Sequence, residues 1–259
     1  MNVKKTFQIL NIVGFLLVVI VNALANALPI NNYTTGELSD MYPNLFVPAG
    51  ITFSIWALIY MFLAAFTTFQ AQGLFGGKTL KATRYIGLWF FISCLANAGW
   101  ILAWHYKMVA FSVLIMLVLL TSLIVIYQNL GIGIRKVKAF EKWCIHAPFS
   151  IYLGWITIAT VANITALLVD LDWNGFGLPP AFWTAAMIFI ASFIGLIILY
   201  KKGDWLFNLV LLWAFAGIFI KRYYQDPQPY PVILSALGFG ALLIIARIIR
   251  SLKEGKSAY

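Results

Sequence analysis

Tryptophan and polar side chains recur at helical spacing in three apolar stretches of this chain. The three stripes are Phe53, Trp56 and Tyr60; Ser93, Asn97, Trp100 and Trp104; and Tyr152, Trp155, Ala159 and Asn163. Spacings of three, four, seven and eleven residues put the members of each stripe on one face of a helix. Hydrocarbon does not favour aligned amides and indole N–H groups, so such stripes usually face other helices or a cavity. The chemistry that they offer is non-covalent: ring stacking and hydrogen bonding.

Groups for proton transfer, nucleophilic attack or metal binding are missing from the apolar stretches. Every acid and base falls in a loop or at a span end, including His105 and His146. Cys94 and Cys144 form neither a disulfide framework nor a metal-binding spacing. An ion-coupled transporter or an intramembrane protease would need charged or ligating side chains at depth. We therefore expect no catalytic residue and no metal site, and haem ligation by either histidine is disfavoured.

Composition indicates the element that must position the stripes, a membrane-spanning helix. Hydrophobic residues make up 63% of the chain and charged residues only 10%, and the mean hydropathy is +0.91. A water-soluble domain has about 25% charged residues. The prediction is an all-α polytopic membrane bundle of about eight transmembrane helices, each long enough to cross about 30 Å of hydrocarbon. The spans are placed near residues 7–26, 47–71, 84–105, 108–128, 143–168, 181–200, 204–221 and 230–250.

The distribution of charge predicts the orientation of these spans. If the N-terminus lies inside, all but three of the 18 Lys and Arg residues fall in inner segments, the exceptions being Lys107, Lys221 and Arg222. Basic residues prefer the cytoplasmic side, so both termini are predicted to be cytoplasmic in a multi-pass cell-membrane protein. The net charge of +10 then reflects topology and attraction to anionic membrane lipids, and we expect no nucleic-acid partner. The outer loops hold five of the eight acids: Glu37, Asp40, Asp170, Asp172 and Asp226.

The depth of the stripes distinguishes them from interfacial anchors. At about 1.5 Å per residue, Trp56, Trp100 and Trp155 lie between roughly 8 and 20 Å below the outer edge. That is too deep for the aromatic belt, in which Trp104 and Trp173 are expected. The residues alone leave two interpretations open: helix packing with Asn97 and Asn163 as interhelical links, or a cavity for a flat, mostly apolar ligand with polar edges.

Several of these residues resemble a known family. Pro48, Phe53, Trp56, Ile59 and Tyr60 are similar to the second-helix signature of the TspO/MBR family, the tryptophan-rich sensory proteins related to the mitochondrial translocator protein. Asn97 and Trp100 resemble its Asn-x-x-Trp in helix three. Tyr152, Leu153, Trp155, Ala159, Thr160 and Asn163 resemble its helix-five signature. The resemblance covers about residues 7–168, whose five spans equal the family's five-helix bundle. It predicts a TspO/MBR-like bundle over 1–170 and a three-helix membrane extension over 171–259.

The resemblance implies a central cavity that binds porphyrins and other flat lipophilic ligands. Trp56 and Trp155 match the family's cavity tryptophans, Asn97 its helix-three asparagine, and Ala159 a small residue that allows close approach of helices or subunits. The lining is completed by Phe53, Tyr60, Trp100, Tyr152 and Asn163. This chain departs from the family by spacing Phe53 and Trp56 three residues apart instead of four, and by Met41 and Tyr42 in place of a Trp-Tyr pair in the first loop.

The resulting hypothesis is an integral membrane protein that binds a porphyrin, haem or similar tetrapyrrole-like molecule as sensor, regulator or carrier. It requires no cofactor, its partners are membrane lipids and the lipophilic ligand, and a homodimer is left open. Two alternatives remain: a porphyrin-degrading membrane enzyme, which the lack of catalytic groups disfavours, and a membrane scaffold without a ligand.

Overall fold

The computed structural model describes residues 3–28, 30–76 and 81–259, and every regular element in these ranges is helical. The all-α prediction is therefore confirmed, while Lys78, one of the predicted inner basic residues, lies outside the described ranges. The long helices are α1 (Val3–Ala27), α2 (Ile55–Ala71), α3 (Trp89–His105), α4 (Val109–Leu130), α5 (Ala147–Asp170), α6 (Pro180–Lys202), α7 (Trp205–Ile220) and α8 (Pro231–Lys253).

Short helical segments begin, end or join these helices. Single turns of 3₁₀ or α-helix cover Ile30–Asn32, Thr35–Asp40, Gly50–Ser54, Gln72–Leu74, Lys81–Ile86, Ala139–Glu141 and Gly175–Gly177, and π-helical turns cover Lys142–His146 and Lys221–Gln225. The Gly50–Ser54 turn leads directly into α2, and the Lys142–His146 turn leads into α5.

Among the described residues, seven helices are long and apolar enough to cross a membrane. The remaining long helix, α3, has 17 residues, or about 25 Å at 1.5 Å per residue. The segment before it extends the crossing, because Asn129 near one end of α4 donates a hydrogen bond to the Tyr85 carbonyl at 3.1 Å. A short turn at 106–108 joins α3 to the other end of α4. The segment from Tyr85 to His105 therefore runs the length of α4, as a predicted eighth span would.

Helix α5 lies at the centre of the bundle, in contact with α2, α4 and α7. A helix that is apolar on all sides is normally buried, and α5 is buried almost continuously from Ala147 to Ile156. Gly154 permits the close approach of α7, because a Cβ there would stand 3.0 Å from the Phe207 carbonyl oxygen. Helices α6 and α8 pair on the far side of α7.

The two ends of the bundle differ in charge. At the end where α1, α3, α5 and α7 finish, here called the acidic end, Lys221 forms an ion pair with Asp40 and Arg222 pairs with Asp226 at 2.8 Å. The opposite, basic end carries Lys81, Arg135 and neighbouring cations. This segregation has the pattern from which the orientation is predicted, and the cytoplasmic placement of the termini stays a prediction.

Candidate ligand-binding site

Five aromatic side chains from two of the three stripes meet inside the bundle. The Trp56 ring stacks on Tyr60 with centroids 5.5 Å apart, and its edge meets Tyr152 at 6.0 Å and Trp155 at 6.3 Å. Phe53 meets Trp155 edge-on at 6.0 Å. Each such pair contributes about 0.5–1.5 kcal/mol beyond burial of its surface. These five residues are called the aromatic cluster below.

The three-residue spacing between Phe53 and Trp56 has a local structural cause. Phe53 lies in the 3₁₀ turn Gly50–Ser54, and α2 begins only at Ile55. Side chains three residues apart eclipse one another in a 3₁₀ helix, whereas in an α-helix they are offset by about 60° around the axis. The sequence left open which of the two residues faces the cavity. In the structure both contact Trp155.

The amide of Asn97 links three helices. Its Nδ2 donates to the Tyr152 hydroxyl at 2.8 Å, and its Oδ1 accepts from Asn22 Nδ2 at 2.8 Å. Asn97 is fully buried, so these bonds replace the water that it would contact elsewhere. The sequence analysis missed Asn22, although a lone amide in an apolar span is the signal that would have identified it.

A second polar link joins α3, α4 and α5 around Asn163. The Trp100 indole Nε1 donates to Asn163 Oδ1 at 2.9 Å, and Asn163 Nδ2 donates to the Ser112 hydroxyl at 2.9 Å. Both amides of the predicted site are therefore engaged within the protein. Ser112, in the apolar fourth span, is a further participant that the sequence analysis did not identify.

Trp104 is not the interfacial anchor that was expected from its position. It is only 4% exposed, stacks on Trp100 with centroids 5.8 Å apart, and donates from Nε1 to the Thr35 carbonyl at 3.3 Å. Tyr42, from the first loop, lies 5.5 Å from the Trp104 ring. Its place near the end of α3 predicts that Trp104 lies in the interfacial aromatic belt. In the structure, the first loop folds over the Trp104 indole and buries it.

That loop is fixed by hydrogen bonds. A short helix, Thr35–Asp40, begins with a capping box in which Thr34 and Glu37 bond reciprocally, and the Thr34 N–H and hydroxyl hold the pKa of Glu37 below its ordinary value. The Ile30 carbonyl accepts from His105 Nδ1 at 3.0 Å, which leaves Nε2 to accept from the Thr35 hydroxyl at 3.2 Å. His105 thus anchors the loop.

Two adjoining spaces lie beside the aromatic cluster. A cavity of about 40 Å³ is lined by Thr35, Ser39, Pro48, Phe53, Trp56, Trp100, Trp104, Trp155, Ile158, Ala159, Ala162 and Asn163. A groove of about 630 Å³ between α1, the first loop and α2 is lined by Asn22, Ala23, Thr34, Thr35, Gly36, Glu37, Asp40, Gly50, Phe53, Ser54, Trp56, Ala57, Tyr60 and Ile101. Thr35, Phe53 and Trp56 belong to both linings and separate the two spaces.

One donor of the aromatic cluster, Trp155 Nε1, has no hydrogen-bond partner, whereas the Tyr60 hydroxyl faces the Asn97 amide. The Trp155 Nε1 and the Tyr60 hydroxyl are both buried from solvent. A buried donor left unpaired costs about 1–3 kcal/mol. No group of three or more His, Cys, Asp or Glu able to hold a metal ion occurs within residues 3–28, 30–76 and 81–259.

The fold and these contacts define a class: a polytopic α-helical membrane protein with aromatic side chains gathered inside the bundle of its first five spans. The chain belongs to the TSPO-like protein family, whose model matches residues 8–250. A search of the curated proteins and a search of the solved structures found no match. The family membership predicted from the three signatures is confirmed. The match also includes α6, α7 and α8, so it extends beyond the five spans on which the resemblance rests.

Proposed function

We propose that this protein binds a flat lipophilic ligand of the tetrapyrrole type at the aromatic cluster and acts as a sensor, regulator or carrier. The observation that carries the proposal is a buried, unpartnered donor, Trp155 Nε1, within a cluster of five rings. A ligand with apolar faces would stack on the rings, and an acceptor at its edge would pair with this donor.

The volumes support entry through the groove. The cavity of about 40 Å³ holds about one water molecule, whereas small-molecule sites measure about 300–1,000 Å³. The groove of about 630 Å³ is large enough. A ligand would occupy the groove and enlarge the site by displacing Trp56, which is half-buried on the boundary between the two spaces.

The roles of the two amides in this proposal differ from those first expected. Asn97 and Asn163 bond to Tyr152 and Trp100, so they position the aromatic walls rather than offer free groups to a ligand. Ala159 leaves room beside Trp155, since any larger side chain would occupy the small cavity.

The test is a titration of the purified protein with protoporphyrin and with haem, followed by tryptophan fluorescence. Trp155→Phe keeps a ring but removes the unpartnered N–H, and should weaken binding about fivefold, the effect of one hydrogen bond of about 1 kcal/mol. Trp89→Phe is the matched control, because Trp89 is exposed on α3 and outside the cluster. The double variant Trp56→Ala/Trp155→Ala should lose saturable binding. Equal affinities in the two single variants would contradict the proposal.

The scaffold alternative is favoured by one observation: Asn97, Asn163, Tyr152 and Trp100 already satisfy one another's hydrogen bonds. It predicts that Asn97→Ala lowers stability by about 1 kcal/mol and that wild-type protein takes up porphyrin only by unsaturable partitioning. Degradation has less support, because the only acids among the described lining residues are Glu37 and Asp40 in the first loop, and no His, Lys or Cys lines the cavity or the groove. Loss of porphyrin absorbance during the titration would favour degradation over binding of an intact ligand.

A further inference from the structure

Another large cavity lies at the basic end and shares no lining residue with the two spaces beside the aromatic cluster. Its volume is about 630 Å³, and it lies between the Lys81–Ile86 helix, the end of α4, the loop that follows and the π-helical turn before α5. Its lining comprises Lys81, Tyr85, Leu130, Arg135, Lys136, Val137, Lys138, Glu141 and His146. Four of these side chains are cationic and one is anionic.

The cations of this cavity are not neutralised by the protein. The described ion pairs all involve other Lys and Arg residues, so Lys81, Arg135, Lys136 and Lys138 carry uncompensated charge. All four are exposed to water, which screens their mutual repulsion, and together they give the cavity a positive potential that attracts anions. The arrangement therefore indicates an anionic ligand.

Arg135 is exposed, but its position is fixed by contact with an aromatic ring. Its guanidinium lies over the Tyr85 ring, 4.1 Å from the centroid. Gly131 makes this possible: it has a left-handed φ of +64°, and a Cβ there would stand 2.8 Å from Arg135 Cγ. Tyr85 is fixed in turn by the hydrogen bond from Asn129 to its carbonyl. Stacking occupies the face of the guanidinium and leaves its N–H edge for an acceptor.

His146 provides an independent indication of a ligand. It is only 2% exposed, lines the same cavity, and makes no described hydrogen bond. Its ring nitrogens are not among the buried atoms that lack a partner, so they open on the cavity, where a neutral imidazole presents one N–H donor and one acceptor. An anion in the cavity would accept from that N–H.

We propose that this cavity binds the phosphate group of an anionic phospholipid. Phosphate oxygens accept hydrogen bonds from guanidinium, ammonium and imidazole groups together. A lipid is favoured over a soluble phosphate because exposed apolar side chains directly precede two lining residues in the chain: Ile134, before Arg135, is 66% exposed, and Phe140, before Glu141, is 58% exposed. They would contact the acyl chains while the headgroup occupies the cationic cavity.

The test is native mass spectrometry of the full chain in detergent, with phosphatidic acid and phosphatidylcholine as probes. Arg135→Gln should reduce the affinity for phosphatidic acid about fivefold, as expected for one Lys or Arg near a membrane surface, and leave phosphatidylcholine unaffected. The matched control is Lys201→Gln, which removes one exposed cation at the same end but outside the cavity. Arg135→Lys should restore part of the affinity because it keeps the charge.

Thermal unfolding of each variant checks that it remains folded. Equal losses in Arg135→Gln and Lys201→Gln would overturn the proposal, because they would show diffuse attraction to the basic end. Competition with inorganic phosphate distinguishes a lipid from a soluble ligand. Millimolar phosphate should displace little phosphatidic acid. Full displacement at concentrations equal to those of the lipid would overturn the lipid assignment and leave a site for a soluble phosphate.

Discussion

Asp204 is a fully buried acid in the turn between α6 and α7. It accepts hydrogen bonds from Ser150 Oγ at 2.6 Å, from the Tyr127 hydroxyl at 2.9 Å and from the Phe207 N–H at 3.1 Å. Burial raises the pKa of its carboxyl, and these three hydrogen bonds offset part of the rise. The sequence places Asp204 at a span end, where an acid is usually solvated, and does not reveal that α4 and α5 enclose it.

The raised pKa of Asp204 predicts a pH dependence of stability. Between about pH 3.9 and the raised pKa, the folded state binds a proton at Asp204 that the unfolded state does not bind. Acidification from neutral pH should therefore stabilise the fold through this group, and Asp204→Asn should remove that part of the profile. Asparagine can still cap α7.

The measurement is the thermal unfolding temperature in detergent between pH 7 and about pH 4.5. The wild-type value should rise relative to that of Asp204→Asn as the pH falls. Asp172→Asn is the control, because this acid is exposed in a loop. Parallel profiles for wild type and Asp204→Asn would refute the argument.

The aromatic cluster shows how far single residues could be predicted. Phe53, Trp56, Tyr60, Tyr152 and Trp155 share helical faces and do converge, because periodicity reports which side of a helix is buried. Asn22 and Ser112 were not predicted, since a single polar side chain in an apolar span signals a polar contact but does not show which helix supplies the partner. Identifying their partners requires the packing of other helices.

At the scale of elements, α7 connects the last three spans to the aromatic cluster. The Gly217 carbonyl accepts from the Ala49 N–H at 3.0 Å, and the Trp213 indole donates to the Thr52 carbonyl at 2.9 Å. Both bonds hold the chain around the 3₁₀ turn that carries Phe53. The three C-terminal spans therefore brace one wall of the candidate site.

Gly217 allows this contact, because a Cβ there would overlap the Thr52 side chain. Gly217→Ala should lower stability by about 1–3 kcal/mol, since Thr52 is β-branched and buried and cannot move aside easily. Gly238→Ala is the matched control: it adds the same methyl group to α8, where a Cβ meets nothing within 4 Å. The control should be neutral or slightly stabilising through helix propensity.

Thermal unfolding of the two glycine variants under one condition measures the difference. A loss in Gly238→Ala as large as that in Gly217→Ala would show that the effect lies in the helix backbone rather than in the contact with Thr52. The sequence predicts close packing at small residues in these spans, but it does not indicate which neighbour each one touches.

For the whole molecule, hydropathy and charge predict the helical bundle because both depend on average composition over long segments. The family match over residues 8–250 spans both segments of the predicted division at residue 170. The division itself stays a prediction.

The predicted orientation can be tested by labelling with a membrane-impermeant maleimide in intact cells. In a Cys144→Ser background, Asp172→Cys should react in intact cells, because positive charge retains the opposite end in the cytoplasm. Lys136→Cys should react only after permeabilisation. The reverse labelling pattern would show that the predicted orientation is wrong. Cys94 is buried and should stay unlabelled in both experiments.

The small volume beside Trp155 affects how any measured affinity should be interpreted. With room for about 40 Å³, the space beside Trp155 cannot itself admit a tetrapyrrole, so contact with that residue would have to draw on a rarer, opened conformation. The apparent dissociation constant then exceeds the intrinsic one by the reciprocal of the opened fraction. If opening occurs about one time in a hundred, an intrinsically nanomolar site would be measured at about 100 nM. A substitution that only loosens the first loop would then increase affinity without touching the ligand.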